Sequence, residues 1–101
     1  MDHHFDKKDQ EVSIHLSGRL TFNDHARMRA LISEAVKTCQ KEIAIDLSEL
    51  EFIDSAGIGM ILIAREEFDY RQKKLTIKNA TGQVMRVMTI TNLSKLVAID
   101  G

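Results

Sequence analysis

The sequence contains no proline and only one cysteine, Cys39, among its 101 residues. A single cysteine cannot form an intramolecular disulfide, which favours a reducing compartment, so we expect a cytoplasmic location. The N-terminal residues lack the basic and then apolar order of a signal peptide. No apolar run approaches the roughly 18 residues that a membrane-spanning helix needs. Because no stretch resembles a linker or a repeat, we expect one domain over residues 1–101.

An excess of charge of either sign is also missing, because 14 basic residues are balanced by 15 acidic ones and the net charge is −1. We therefore expect neither nucleic acid nor an anionic membrane surface as a partner. Hydrophobic residues make up 44% of the chain and charged residues 29%, which is typical of a globular protein and unlike a disordered one.

Hydrophobic periodicity predicts alternating strands and helices. Residues 11–17 alternate between apolar and polar side chains, as in a half-buried strand, and the run 43–47 is apolar on both faces at its centre, as in an inner strand. Residues 24–38 repeat apolar side chains at helical spacing, with Asn23 as the predicted N-cap. The remaining predicted elements are a helix over 56–70, a strand around Leu75 and Ile77, a helix capped by Thr81, a last strand at Leu96, Val97 and Ile99, and a weaker strand within 3–10. This order predicts an α/β fold with a mostly parallel sheet.

Motifs for catalysis or metal binding are absent from the sequence. No two of the four histidines form an i, i+4 pair around a carboxylate, so we interpret them as surface residues. Cys39 has no evident base or electropositive neighbour and is interpreted as structural. The pair Gly57 and Gly59 is only part of a dinucleotide fingerprint, because position 62 is a leucine. We therefore expect no enzyme activity, no cofactor and no metal site.

The segment 54–59, Asp-Ser-Ala-Gly-Ile-Gly, joins an apolar strand region to an apolar helix. Its small residues leave the first amides of the helix accessible, and such amides favour an anion there by about 0.3–2 kcal/mol. A phosphate on Ser55 would add roughly −1.5 to −2 charges beside Asp54. The alternative is that Ser55 is only a helix cap and the glycines only permit close packing. The local chemistry by itself favours this second interpretation.

The longer stretch 45–59, from Ile45 to Gly59, closely resembles the signature of the STAS domain found in bacterial anti-sigma factor antagonists. An apolar strand ends in Asp-Leu-Ser, and a Phe-Ile-Asp-Ser-x-Gly segment then leads into a helix. Gly18-Arg19-Leu20 is similar to the upstream Gly-x-Leu element of that family. The resemblance covers nearly the whole chain. It implies a mixed sheet of four or five strands with helices packed mainly on one face.

The resemblance also implies a function, which is partner switching controlled by phosphorylation. The unmodified protein would bind an anti-sigma factor that is also a serine kinase, and this kinase would phosphorylate Ser55. A metal-dependent serine phosphatase would reverse the modification, so all catalysis would take place in the partners. The implied partner-binding residues are Asp54, Ala56, Gly57, Gly59, Thr21, Phe22 and Asn23.

Two positions differ from the family pattern, and two other functions stay open. Ala56 replaces a second hydroxyl residue that many members carry, which leaves Ser55 as the only acceptor in the segment. Thr21 replaces an acidic residue common in antagonists, so the partner could control a process other than sigma-factor release.

One alternative function is an accessory subunit of a lipid-transport ATPase. Another is nucleotide binding or hydrolysis, which no phosphate loop supports.

Overall fold

The computed structural model describes residues 1–8, 11–38 and 41–100. The strands are β1 (Asp2–Lys8), β2 (Glu11–Leu20), β3 (Glu42–Ile53), β4 (Lys74–Lys78) and β5 (Ala98–Asp100). The helices are α1 (His25–Thr38), α2 (Ser55–Tyr70) and α3 (Gly82–Ile90), and short 3₁₀ turns cover Phe22–Asp24 and Leu93–Lys95. None of the helices described is both long and apolar enough to cross a membrane.

The five strands form one sheet in the order β1-β2-β3-β4-β5. Strand β1 pairs antiparallel with β2, and every other neighbouring pair is parallel. Each parallel connection contains one of the three helices, as a parallel pair requires a crossover. The predicted α/β fold, with a mixed, mostly parallel sheet, is confirmed.

Alternation along the strands determines which face of the sheet the helices cover. On one face, Ile14, Ile45 and Ile77 are in register and buried. On the other face, the half-buried Ser13 and Thr76 flank Ala44, which is small enough to be buried between them. The buried residues of α2, among them Ile61 and Phe68, join the first face in one hydrophobic core. Burial of such a large apolar side chain contributes about 1.5–3 kcal/mol.

Strands β2 and β3 are longer than the periodicity predicts. Strand β2 continues past the predicted residues 11–17 to Leu20, because Gly18 adopts its φ of +83° without strain. Strand β3 likewise extends well beyond the predicted run 43–47, since Phe52 and Ile53 belong to it and pair with the end of β2. Two register shifts in this pairing place extra residues on β3, and such bulges interrupt the alternation on which the prediction relied.

Smaller differences concern the caps and the chain ends. Asn23 does not cap α1, because it lies inside the 3₁₀ turn that begins after Thr21. The weak strand predicted within 3–10 is present as β1, and its last two positions lie outside the described residues. The last strand starts only at Ala98, after Leu96 and Val97. The interpretation of Cys39 as structural also falls outside the described part of the chain.

Candidate functional site

The loops that follow β2 and β3 lie side by side, because the carboxyl ends of these two parallel strands are at the same end of the sheet. Strand β2 ends at Leu20 and is followed by Thr21 and Phe22, while β3 ends at Ile53 and is followed by Asp54. The backbone N–H of Asp54 donates to the carbonyl oxygen of Leu20 at 3.3 Å. The residues predicted from the two distant segments are therefore neighbours in the fold.

The carboxylate of Asp54 joins these loops. One oxygen, Oδ1, accepts a hydrogen bond from the N–H of Gly57 at 2.8 Å and so caps α2. The other oxygen, Oδ2, accepts from the N–H of Phe22 at 3.2 Å. A carboxylate at a helix N-terminus also interacts favourably with the helix dipole. Asp54 thus fixes both the start of α2 and the position of the loop after β2.

Ser55 is the first residue of α2 and its side chain is exposed. The interpretation of Ser55 as the helix cap is wrong, because Asp54 occupies the cap position and makes the capping bond. None of the hydrogen bonds among the described residues involves the Ser55 hydroxyl. The amides of Ser55 and Ala56 precede the first intrahelical donor, Ile58, and have no partner in the described structure. The site therefore combines a free hydroxyl with two free N–H groups.

The two glycines of the segment have different surroundings. A Cβ on Gly57 would lie 2.6 Å from Cγ1 of Ile53 and 2.8 Å from the carbonyl oxygen of Leu20. A Cβ on Gly59 would meet no atom within 4 Å. Close packing is the alternative role that the sequence suggests for both glycines, and it therefore explains Gly57 but not Gly59. Gly57 is buried where α2 packs closely against Leu20 and Ile53, whereas Gly59 leaves open space beside the first turn of α2.

The loop after β2 presents its side chains outward beside Ser55. Phe22 is 70% exposed, which is unusual for a phenylalanine, and Asn23 is also exposed. Thr21 is half-buried, and its N–H donates to Oδ2 of Asp24 at 2.9 Å, which stabilises the 3₁₀ turn. Because the N–H of Phe22 is bound to Asp54, the exposed phenylalanine lies near the exposed Ser55 and the half-buried Ala56 that follows it.

Gln83, in the first turn of α3, completes the support of the site. Its Oε1 accepts from the N–H of Ile53 at 3.0 Å, and its Nε2 donates to the carbonyl oxygen of Ile53 at 2.9 Å. The side-chain amide thus pairs with the last residue of β3 as a neighbouring strand would. Sequence reasoning missed Gln83, because nothing in its local pattern indicates a contact 30 residues away.

Replacing Gln83 with alanine is expected to lower the free energy of unfolding by about 1 kcal/mol, since both backbone polar groups of the buried Ile53 lose their partner. Urea denaturation of Gln83→Ala, with Arg86→Ala on the exposed face of the same helix as control, measures this loss. Equal stability of the two variants would contradict a supporting role for Gln83.

Asp46 forms a second polar cluster, on the open face of the sheet. Partial burial by itself would raise the pKa of Asp46, but the N–H and hydroxyl of Ser48, the Asn79 amide and nearby His15 lower it below its ordinary value. Asn79 donates to Oδ2 at 2.9 Å, and His15 Nδ1 lies 3.7 Å from the same oxygen. These contacts fasten the middle of β3 and do not involve Ser55. Within the described ranges, no group of histidine and acidic side chains could hold a metal ion.

Comparisons with known proteins agree with this architecture. A family model described as "Mlab, STAS domain" matches residues 3–98. A STAS-domain containing protein from Pseudomonas aeruginosa is 27% identical over 91 residues, covering 90% of this chain and 89% of that protein. The anti-sigma F factor antagonist of Paenibacillus polymyxa is 28% identical over 87 residues, covering 85% of this chain and 74% of the relative.

A solved structure extends the comparison to the fold. The anti-sigma factor antagonist SpoIIAA of Bacillus, in its unphosphorylated form, superposes with a TM-score of 0.74 at 20% identity. The match covers 99% of this chain and 88% of that one. SpoIIAA has also been solved in a phosphorylated form. At this level of identity, the likeness shows a common fold and no more.

Proposed function

The chain belongs to the STAS domain family and is distantly similar to anti-sigma factor antagonists, and from this premise we propose that it is a partner-switching protein controlled by phosphorylation of Ser55. The unphosphorylated form binds an anti-sigma factor that is also a serine kinase. Phosphorylation of Ser55 ends that binding, and a metal-dependent serine phosphatase restores it. The partners carry out the catalysis, and this chain is their substrate and ligand.

The observation that carries this proposal is the free hydroxyl of Ser55. A serine that capped α2 would use its oxygen to accept a backbone N–H and would be held by that bond. Here Asp54 makes the capping bond, so the Ser55 side chain is exposed and can enter the active site of a kinase. Ala56 offers no competing hydroxyl.

The local charges explain how one phosphoryl group would change binding. A phosphoserine carries about −1.5 to −2 charges at neutral pH. It would follow directly on Asp54, whose carboxylate already accepts the N–H groups of Gly57 and Phe22, and the free amides of Ser55 and Ala56 would offset only part of the added charge. A partner surface fitted to a neutral hydroxyl beside Phe22 would meet this negative charge and lose complementarity, since unfavourable charge contacts in interfaces cost several kcal/mol.

The names of the relatives support the type of partner proposed. Anti-sigma factor antagonists are, by name, proteins that oppose an anti-sigma factor. One of them, SpoIIAA, exists in phosphorylated and unphosphorylated forms. Transferred to this chain, these properties support a docking face formed by the exposed Phe22 and Asn23 and the half-buried Ala56 and Gly59. Thr21, Asp54 and Gly57 would hold this face in place.

The test is to incubate the protein with Mg²⁺, ATP and candidate serine kinases of the anti-sigma type, and to map the product by mass spectrometry. We expect one phosphoryl group on the peptide containing Ser55 in the wild type and none in Ser55→Ala. In pull-downs, Ser55→Ala should bind the kinase, whereas Ser55→Glu should bind at least about tenfold more weakly.

The matched control for the charge is Ser94→Glu, which changes an exposed serine beyond the far end of α3. Its binding should equal that of the wild type. An equal phosphoryl gain in wild type and Ser55→Ala would reject the site. Equal binding by Ser55→Ala and Ser55→Glu would reject the switch.

A second candidate function is an accessory subunit of a lipid-transport ATPase. The surface around Phe22 and Gly59 could dock permanently without any modification, and the matched family model is described as Mlab rather than as an antagonist. Affinity purification from membranes of the native host would distinguish the two roles. Recovery of a transport ATPase with wild type and Ser55→Ala alike favours the accessory role, whereas recovery of a serine kinase favours switching.

A further inference from the structure

Strand β1 forms one edge of the sheet. Its seven residues pair with β2 along their whole length, from Asp2 opposite Ser17 to Lys8 opposite Glu11. Its other side pairs with no strand in the described part of the chain. Every second backbone N–H and C=O of β1 therefore points away from the sheet, which makes this edge a template for a further strand.

The start of this edge strand is held in place by α1. Arg27 donates a hydrogen bond from Nη1 to the carbonyl oxygen of Met1. Phe5, at the centre of β1, is half-buried and packs against the hydrophobic core. The edge is thus an ordered part of the sheet, and little further ordering is needed before it can pair.

The sequence of β1, Asp-His-His-Phe-Asp-Lys-Lys, has a charge pattern that complements itself when it is reversed. If two copies pair antiparallel about Phe5, Asp2 of each lies opposite Lys8 of the other, and His4 lies opposite Asp6. We propose that a second copy of this chain pairs with β1 in this way and joins the two sheets into one ten-stranded sheet around a two-fold axis.

The register of this pairing is determined by symmetry and charge. A two-fold axis perpendicular to the sheet keeps each side chain on its own face. Because side chains alternate between the two faces, the two residue numbers in each cross-strand pair must add up to an even number. A sum of 10 aligns all seven residues and gives the Asp2–Lys8 pair twice. A sum of 8 places Asp2 opposite Asp6, and a sum of 12 places Asp6 opposite its own copy. Both of these alternatives also shorten the ladder by two residues.

The centre of the proposed pairing adds an aromatic contact. The two copies of Phe5 lie opposite each other at the axis, where cross-strand Cβ atoms are about 4.5–5.5 Å apart. Pairs of aromatic side chains in such positions stabilise a sheet. Lysines on an exposed edge usually discourage pairing because they meet like charges. In this register Lys8 lies opposite the carboxylate of Asp2 instead. Lys7 lies opposite His3, which is a basic residue as well.

The experiment is sedimentation equilibrium of the full chain over a range of concentrations at low salt. The wild type should form a dimer that dissociates as salt is added, because salt screens exposed charge pairs. Lys8→Asp places two carboxylates opposite each other at both ends of the ladder, and the dissociation constant should rise about tenfold. The double variant Asp2→Lys with Lys8→Asp restores opposite charges and should restore the dimer.

The matched control is Lys95→Asp, which makes the same charge change at an exposed lysine outside the sheet. It should leave association unchanged, and circular dichroism establishes that all variants fold. A wild type that stays monomeric at every concentration overturns the proposal. So does a dimer that Lys8→Asp leaves unchanged, or one that the double variant fails to restore. None of these outcomes depends on Ser55, so the test of this proposal is independent of the test of the proposed function.

Discussion

Replacement of Gly57 by valine is expected to lower the free energy of unfolding by about 3 kcal/mol, the upper part of the usual range for overpacked cores. The first added carbon alone would lie 2.6 Å from Cγ1 of Ile53 and 2.8 Å from the carbonyl oxygen of Leu20. Leu20 cannot simply retreat, because the same oxygen accepts the hydrogen bond from the N–H of Asp54. Urea denaturation, with the slope of the transition checked for two-state behaviour, measures the loss.

The matched control is Gly59→Val, two residues further along the same helix. A Cβ on Gly59 meets no atom within 4 Å, so valine there changes little beyond helix propensity, where it is slightly better than glycine. Its stability should stay within about 0.5 kcal/mol of the wild type. If Gly57→Val does not fold, Gly57→Ala should still show a loss of about 1 kcal/mol. Equal stabilities of the Gly57 and Gly59 variants would contradict the close packing of α2 on β2 and β3.

The order and type of the elements could be predicted because each strand and helix buries one regular stripe of apolar side chains. The alternation of Val12, Ile14 and Leu16 faces the core as expected, and all three are buried. The full length of β3 could not be predicted, because bulges opposite β2 shift which residues face inward. A pattern with period two fails where two residues of one strand lie opposite one residue of the other.

The local geometry of the candidate site could be predicted in part from the segment 54–59, whereas its tertiary supports could not. The segment 54–59 contains the cap, the free hydroxyl and the closely packed glycine, and its signature marks all of them. Asp54 and Ser55 are both good capping residues, so propensity does not determine which of them caps α2. If Ser55 were the cap, its hydroxyl would be hydrogen-bonded to a backbone N–H. Because Asp54 is the cap, the hydroxyl is free. Gln83 carries no local signal, since its partner Ile53 is identified only by the folded chain.

The second large effect is expected for Asp54→Ala, with a loss of about 2 kcal/mol in the free energy of unfolding. The substitution removes the capping bond to the N–H of Gly57, worth about 1 kcal/mol. It also removes the bond from the N–H of Phe22 to the other carboxylate oxygen, which contributes only about 1 kcal/mol because it is exposed to solvent. Because the two bonds use different oxygens, a smaller side chain can separate them.

Asp54→Ser provides that separation, because a serine oxygen can cap α2 but cannot reach the loop after β2 at the same time. We expect Asp54→Ser to recover about half of the stability that Asp54→Ala loses. Amide hydrogen exchange should report the same division: the N–H of Phe22 exchanges faster in both variants, whereas the N–H of Gly57 exchanges faster only in Asp54→Ala. Unchanged protection of Phe22 in both variants would mean that the loop after β2 is held without Asp54. If Phe22 is released instead, Asp54 is the residue that keeps the exposed phenylalanine beside Ser55, and its loss should weaken partner binding even though Ser55 itself is intact.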